Sequence, residues 1–220
     1  DQDGKVTIKG AGRAKITAKA AAGKCYEAGS ASYVVSVAKA ANKITAKNIA
    51  RTTASMTRKV SIKATVKEAT TLTYASNNSR LRVSSKGVIT IPKNFVGSAV
   101  ITIRGKASED YKSVIKRIRI RVRPKPTVLK KLTNPSESKM KVEWKRRGRV
   151  TGYQIQYATN SSFSSAKTSR VRDKWTYERT FKKSIKKGRI YYIRIRTYKT
   201  VDGKNYYSVW SDPMKLKIKK

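Results

Sequence analysis

Apolar and polar residues alternate with a period of two along most of this chain. Residues 60–66 and 117–123 show the alternation most clearly, and Ser, Asn, Gly and Pro separate successive runs. A period of two places alternate side chains on opposite faces of a strand, so one face can be buried while the other stays in water. An apolar period of 3.6 residues is not sustained in any segment. The pattern therefore predicts an all-β fold of antiparallel strands.

The strand pattern occurs twice at a constant offset, which indicates an internal repeat. The aligned positions are 12–18 with 97–103, Tyr26 with Tyr111, Val37 with Val122 and, allowing two extra residues in the later copy, 4–8 with 87–91. We call the offset that aligns Gly12 with Gly97 the repeat offset. The later copy occupies residues 41–124 and predicts a complete domain.

Residues 1–40 hold only the C-terminal part of such a unit, with strands predicted at 5–9, 13–20 and 31–39. A sandwich that lacks half its strands leaves sheet edges and an apolar face uncovered. We therefore interpret residue 1 as a cut or processing site. We expect residues 1–40 either to fray or to receive strands from another chain.

The second copy resembles the bacterial Ig-like repeats of surface proteins, group 2 in particular. The residues that carry the resemblance are a Tyr-x-Ser-Asn segment at 74–77, a Val strand and Gly hairpin at 81–90, and a Gly-x-Ala-x-Ile-Thr strand at 97–103. Gly87 is expected at positive φ in the hairpin turn. The resemblance implies an Ig-like sandwich for residues 41–124.

A Pro-Lys-Pro segment at 124–126 predicts a short, stiff linker, because each Pro fixes φ. Residues 125–220 then resemble a fibronectin type III domain. The matching segments are 140–144, 152–157, 185–196 and 207–211. The resemblance implies a core position for Trp144 and for Trp210, and a tyrosine-corner role for Tyr191, whose hydroxyl would bind upstream backbone. The predicted architecture is a set of tandem Ig-like and fibronectin III-like β-sandwiches arranged end to end.

Composition excludes several kinds of chemistry. The chain has no His and a single cysteine, Cys25, so imidazole catalysis, intrachain disulfides and Cys-cluster metal sites are excluded. The acidic residues at 1 and 3 before Gly4 could begin a calcium loop, but a turn fits better because a strand pattern follows. Glu109 and Asp110 are adjacent and are expected to balance charge in a turn. We predict no cofactor, no metal, no membrane span and no enzymatic activity.

Net charge is the strongest functional signal. Lys and Arg number 53 against 12 Asp and Glu, a formal net charge of +41 that rises toward the C-terminus. Solubility alone would be served by mixed signs, so this excess indicates a polyanionic partner. The candidate binding residues are Arg117, Arg119, Arg121 and Arg123 on one strand face, the cluster Lys182, Lys183, Lys186, Lys187 and Arg189, and Arg194 with Arg196.

Three functions remain open from the sequence. The first is a secreted or cell-surface stalk that tethers its parent protein to an anionic wall polymer such as teichoic acid. The second is an adhesin that binds a sulfated glycan or a host protein such as an antibody, with exposed aromatic anchors at Trp175, Tyr177, Tyr206 and Tyr207. The third is nonspecific binding of nucleic acid. The first two place the chain outside the cell, either associated with the cell wall or secreted, and the first predicts binding that weakens with salt.

Overall fold

A computed structural model describes residues 4–68 and 70–219 of the chain, and in these residues all regular secondary structure is β. This confirms the predicted all-β class. No helix that could cross a membrane occurs among the described residues. The strands are β1 (Gly12–Ala20), β2 (Gly29–Val37), β3 (Ile44–Thr45), β4 (Ile49–Thr52), β5 (Arg58–Ser61), β6 (Thr65–Val66), β7 (Leu72–Ser76), β8 (Arg82–Val83), β9 (Val88–Ile91), β10 (Gly97–Gly105), β11 (Val114–Arg123), β12 (Leu129–Thr133), β13 (Met140–Trp144), β14 (Gly152–Ala158), β15 (Lys167–Val171), β16 (Glu178–Phe181), β17 (Ile190–Val201), β18 (Lys204–Tyr207) and β19 (Met214–Lys217).

Strands β3 to β11 form the first sandwich. One sheet has the order β4-β11-β10-β7, in which β4 runs parallel to β11, and the facing sheet has the order β5-β9-β8. Their inner faces bury Leu81, Ile89, Ile101 and Ile120 completely. Gly87 sits at φ 71 in the turn before β9, as expected. A Cβ at Gly97 would lie 2.7 Å from the Phe95 ring, so this position needs glycine for close packing.

Strands β12 to β19 form the second sandwich. A sheet of order β12-β13-β16 packs on a five-stranded sheet in which β14 and β17 are central. The core between the sheets contains Trp144, Tyr153, Ile155, Ile193 and Ile195, all nearly or fully buried. Its residues are distinct from those of the first sandwich's core.

Strands β1 and β2 form a separate two-stranded sheet, which we call the N-terminal hairpin. The predicted strand at 5–9 is wrong, since residues 4–9 form no strand. The reason lies in the repeat: the equivalent strand β9 pairs with β5 and β8, and the described chain has no copies of those two strands before the hairpin. The acidic residues at 1 and 3 lie outside the described residues.

The loop before β11 holds the N-terminal hairpin at its open end. The Ala11 N–H donates to Asp110 Oδ1 at 2.6 Å, and the Ala40 N–H donates to the Asp110 carbonyl at 2.7 Å. Lys39 Nζ donates to the Ser108 carbonyl at 2.7 Å. Asp110 therefore does more than balance charge in a turn, because its side chain ties the hairpin to the first sandwich.

The linker between the sandwiches is fixed by hydrogen bonds. Thr197 Oγ1 donates to the Lys125 carbonyl at 2.7 Å, and Arg147 Nε donates to the Pro126 carbonyl at 2.8 Å. A contact of 3.5 Å joins Ser98 Oγ to the Tyr206 hydroxyl across the junction. These contacts place the outer face of β11 beside strands β17 and β18.

Candidate anion-binding surface

The arginines of β11 form a row on the outer face of the first sandwich. Along this strand Ile118, Ile120 and Val122 are buried, while the alternate residues point away from the core. Same-face residues of a strand lie about 6.6–6.8 Å apart. The row consists of Arg117, Arg119, Arg121 and Arg123, and we call it the arginine row.

Residues beside the arginine row carry no negative charge. Across the β10–β11 ladder the partners are Thr102 for Arg117, Val100 for Arg119 and Ser98 for Arg121. On the other side β4 pairs Ala50 with Arg121 and Thr52 with Arg123. The ion pairs found among the described residues join Lys141 to Glu143 and Glu178, and Lys187 to Glu137, so none neutralises the row. Among the described residues, no carboxylate therefore pairs with the guanidinium donors of these arginines.

The row runs into a groove at the junction of the two sandwiches. This groove, which we call the junction groove, has a volume of about 480 Å³. Its cationic lining is Arg119, Arg121 and Arg123 from the first sandwich with Arg196 and Lys204 from the second. Asn77, Asn205 and Tyr206 add neutral hydrogen-bonding groups. None of the lining residues, all in the described part of the chain, is acidic.

Positive charges repel one another inside the junction groove. Burial lowers the pKa of the Arg196 guanidinium below its ordinary value; the Tyr207 hydroxyl opposes this shift, while the charges of Arg194 and Arg123 add to it. Arg196 belongs to the second sandwich and Arg123 to the first, so like charges from the two units meet here. Arginine remains protonated despite such a shift. An anion in the groove would relieve this repulsion.

Arg194 and Arg196 are held in a stack with aromatic rings. Trp210 lies between them, with its ring centroid 4.6 Å from the Arg194 guanidinium carbon and 4.2 Å from that of Arg196. Gln156 Oε1 accepts two hydrogen bonds from Arg194, and Gln154 Oε1 accepts one from Arg196. Trp210 is only partly buried and lies outside the core cluster, which differs from its predicted core position. The stack fixes the orientation of the Arg196 side chain at the wall of the junction groove.

The basic cluster at the far end of the second sandwich is exposed and spread around a turn. Lys182, Lys183, Lys186, Lys187 and Arg189 are all exposed. Lys187 Nζ lies 2.6 Å from Glu137 Oε1, and this contact lowers the pKa of the Glu137 carboxyl. Lys186 and Arg189 line a separate shallow pocket with Tyr191. The cluster adds charge but does not join the arginine row.

Two residues with predicted core roles are buried. Trp144 is 1% exposed and packs on Tyr153, with ring centroids 5.3 Å apart. The Tyr191 hydroxyl donates to the Ser184 carbonyl at 3.0 Å and accepts from the Lys186 N–H at 3.0 Å. This is the upstream backbone bonding expected of a tyrosine corner.

The four candidate interface aromatics fall into two places. Trp175 and Tyr177 are 64% and 50% exposed, with Lys174 and Arg146 over their respective rings. Tyr206 and Tyr207 are partly buried and line the junction groove.

Cys25 is exposed. No group of three or more His, Cys, Asp or Glu residues able to hold a metal occurs in the described residues.

Sequence reasoning missed the junction groove because its two walls come from distant parts of the sequence, on β11 and on β17 and β18. One local signal does exist. Gln154 and Gln156 alternate on β14 as Arg196 and Arg194 do on β17, and the register pairs them across the strands. Matching two-residue spacings on neighbouring strands could have indicated that these arginines have neutral partners and face one side.

Comparison with known proteins gives likenesses in structure only. No family of known proteins and no curated protein sequence matches the chain. A cytokine receptor complex is similar at 15% identity and a TM-score of 0.44, over 80% of this chain and 96% of that one. Consecutive titin domains are similar at 14% identity and a TM-score of 0.34, over 98% of this chain and 77% of that one.

The FN1–FN3 domains of chicken CNTN1 are similar at 15% identity and a TM-score of 0.39, over 86% of this chain and 71% of that one. All these TM-scores are below 0.5. The all-β assignment therefore rests on the sheets of this chain itself.

Proposed function

We propose that this chain is a non-catalytic, extracellular stalk module that holds its parent protein to an anionic wall polymer, such as teichoic acid, through its cationic surface. The observation that carries the proposal is the arginine row: four outward guanidiniums on one strand whose ladder neighbours, among the described residues, include no carboxylate. Long anionic polymers are bound through many such contacts, each releasing counterions, so affinity falls steeply with salt.

The internal repeat argues that this charge is not a requirement of the fold. At the repeat offset the positions of Arg117, Arg119, Arg121 and Arg123 correspond to Ser32, Val34, Ser36 and Ala38. The two hairpins nevertheless share one strand register. A sheet of this kind can therefore form without arginines on its outer face, and the row supports a binding role.

Retention on purified wall sacculi tests the proposal. Replacing all four arginines of the row with Gln should weaken retention and lower the slope of log affinity against log salt by roughly 0.7, the value for a single-stranded polyphosphate chain, for each phosphate that the variant no longer binds. The matched control replaces four exposed residues with Gln: Arg58, Lys59, Lys63 and Arg82. These substitutions remove the same charge from elsewhere on the first sandwich. Equal retention on sacculi with and without teichoic acid would contradict the proposed ligand.

An adhesin function is the second candidate, favoured by the exposed pair Trp175 and Tyr177. Tyr and Trp anchors dominate many protein interfaces, and their binding survives high salt. Binding to a host protein or glycan that persists in high salt and is lost in Trp175→Ala would favour this function. Binding that vanishes with salt and is unaffected by Trp175→Ala would favour the wall polymer.

A further inference from the structure

The junction groove differs from the remaining cationic surface because its charges come from both sandwiches. Arg119 and Arg121 reach it from β11, while Arg196 and Lys204 reach it from β17 and β18. Arg117, the remaining member of the arginine row, does not line the groove. A ligand in the groove can therefore contact two separately folded units at once.

One cationic side chain of the groove wall, that of Arg196, is held in position before any ligand binds. Arg196 is stacked between Trp210 and Tyr207, with guanidinium-to-centroid distances of 4.2 and 4.1 Å, and its Nε donates to Gln154 at 2.7 Å. The linker carbonyls beside the groove are hydrogen-bonded to the second sandwich. Less side-chain freedom is lost when an anion binds to groups that are already held in place.

The ligand chemistry follows from the lining. Arginine binds phosphate through paired, charge-assisted hydrogen bonds, and the groove combines four arginines with one lysine. Asn77, Asn205 and the Tyr206 hydroxyl can meet the hydroxyl or ester oxygens between successive phosphates. Arg117 continues the row outside the groove, so an elongated ligand fits better than a single ion.

We propose that the junction groove is a discrete binding site for a short segment of a phosphodiester polymer, and that the bound segment bridges the two sandwiches and fixes their junction. Only the source of the polymer, the cell wall, rests on the proposed function. The site itself is inferred from the geometry of the junction groove. Binding in the groove is one-to-one, whereas attraction to the general cationic surface has no fixed stoichiometry.

Titration of the full chain with a short glycerol-phosphate oligomer tests the site. Calorimetry should give one oligomer per chain, and Arg121→Gln and Lys204→Gln should each weaken binding on the order of tenfold, since each removes one charge-assisted contact. The matched controls are Arg82→Gln on the first sandwich and Lys217→Gln on the second, which remove equal charge far from the groove. Arg149→Gln is a third control, because Arg149 lines a different basic pocket at the same junction.

Thermal unfolding tests the bridge. A ligand that contacts both sandwiches should raise the unfolding temperatures of both, and at the same ligand concentration this rise should be smaller for both sandwiches in either groove variant. Multiple weak sites, or equal weakening in the groove variants and the controls, would overturn the proposal. A rise for one sandwich alone would overturn the bridging step.

Parallel titrations with a heparin oligosaccharide and with inorganic phosphate identify the ligand class. Binding of the heparin oligosaccharide at the same affinity as the glycerol-phosphate oligomer would overturn the preference for phosphodiesters. Tight binding of inorganic phosphate alone would show a site for a single ion and overturn the polymer. Loss of wall retention with intact groove binding would contradict the wall polymer and leave the groove in place.

Discussion

The N-terminal hairpin and the β10–β11 hairpin are the same structure in two different environments. In the first, Gly12 pairs with Val37 and Ala20 with Gly29; in the second, Gly97 pairs with Val122 and Gly105 with Val114. Every pair of one hairpin maps onto a pair of the other at the repeat offset. The β10–β11 hairpin is flanked by β4 and β7 and covered by the facing sheet, whereas the N-terminal hairpin is mostly exposed on both faces.

The comparison separates what strand pairing needs from what burial adds. The hairpin register survives without neighbouring strands, since hydrogen bonds and the turn are enough to define it. What the N-terminal hairpin lacks is the apolar contact that stabilises such a ladder, because isolated two-stranded sheets are marginally stable in water. The two hairpins therefore allow equivalent residues to be tested with and without a core.

The largest expected difference comes from truncating equivalent isoleucines. Ile101 is fully buried, so Ile101→Ala should lower the free energy of unfolding of the first sandwich by about 2–5 kcal/mol. Its equivalent Ile16 is only partly buried in a hairpin without a core, so Ile16→Ala should change the stability by no more than about 0.5 kcal/mol. Urea unfolding followed by circular dichroism measures both. Similar destabilisation by the two substitutions would mean that the N-terminal hairpin has a core partner.

Hydrogen exchange should separate the hairpins next. Amides of β10 and β11 should exchange slowly, and amides of β1 and β2 quickly, because their bonds lie open to water. If another chain adds strands to the N-terminal hairpin, its protection should grow with protein concentration and a dimer or polymer should appear in ultracentrifugation. Slow exchange in a strict monomer would contradict both fraying and strand donation.

An effect smaller than that of Ile101→Ala is expected at the attachment of the N-terminal hairpin. Asp110→Ala removes the acceptor of the Ala11 N–H and should release this end at a cost of about 1 kcal/mol. Asp110→Asn keeps an acceptor oxygen and serves as the control. Hydrogen exchange should increase at Ala11, while Ala40, which donates to the Asp110 backbone carbonyl, should change less. Unchanged exchange at Ala11 would show that other contacts hold the hairpin.

Much of the fold was predictable because a period of two is a local property of the sequence. The alternation at 117–123 placed every arginine of the row on the correct face, and the repeat offset matches the hairpin register. The strand predicted at 5–9 failed for the opposite reason. Alternation indicates that a segment can pair, but pairing also requires neighbouring strands, and the described part of the chain places none beside residues 5–9.

The sequence predicted the strand that carries the candidate site, but it did not predict the junction groove. Spacing along β11 identified the arginine row, but the junction groove depends on how two sandwiches meet, which no local pattern encodes. Trp210 was assigned to a core because the resembled fold implies it. Its actual partners are Arg194 and Arg196, beside which it is placed by the neighbouring Ser211, whose N–H donates to the Ile195 carbonyl.

The parallel pairing of β4 with β11 has a mechanical consequence for the stalk role that we propose. These strands lie toward opposite ends of the first sandwich's sequence, and Ile49 to Thr52 pair with Ile120 to Arg123. Force applied to the two ends of this sandwich pulls β4 and β11 in opposite directions. The hydrogen bonds between these strands are therefore loaded together in shear. The N-terminal hairpin has both chain ends on one side, where Gly12 meets Val37, and the same pull would open it one bond pair at a time. Resistance to force is governed by the unfolding rate rather than by equilibrium stability. Under tension the N-terminal hairpin should therefore extend first, while the first sandwich carries the load.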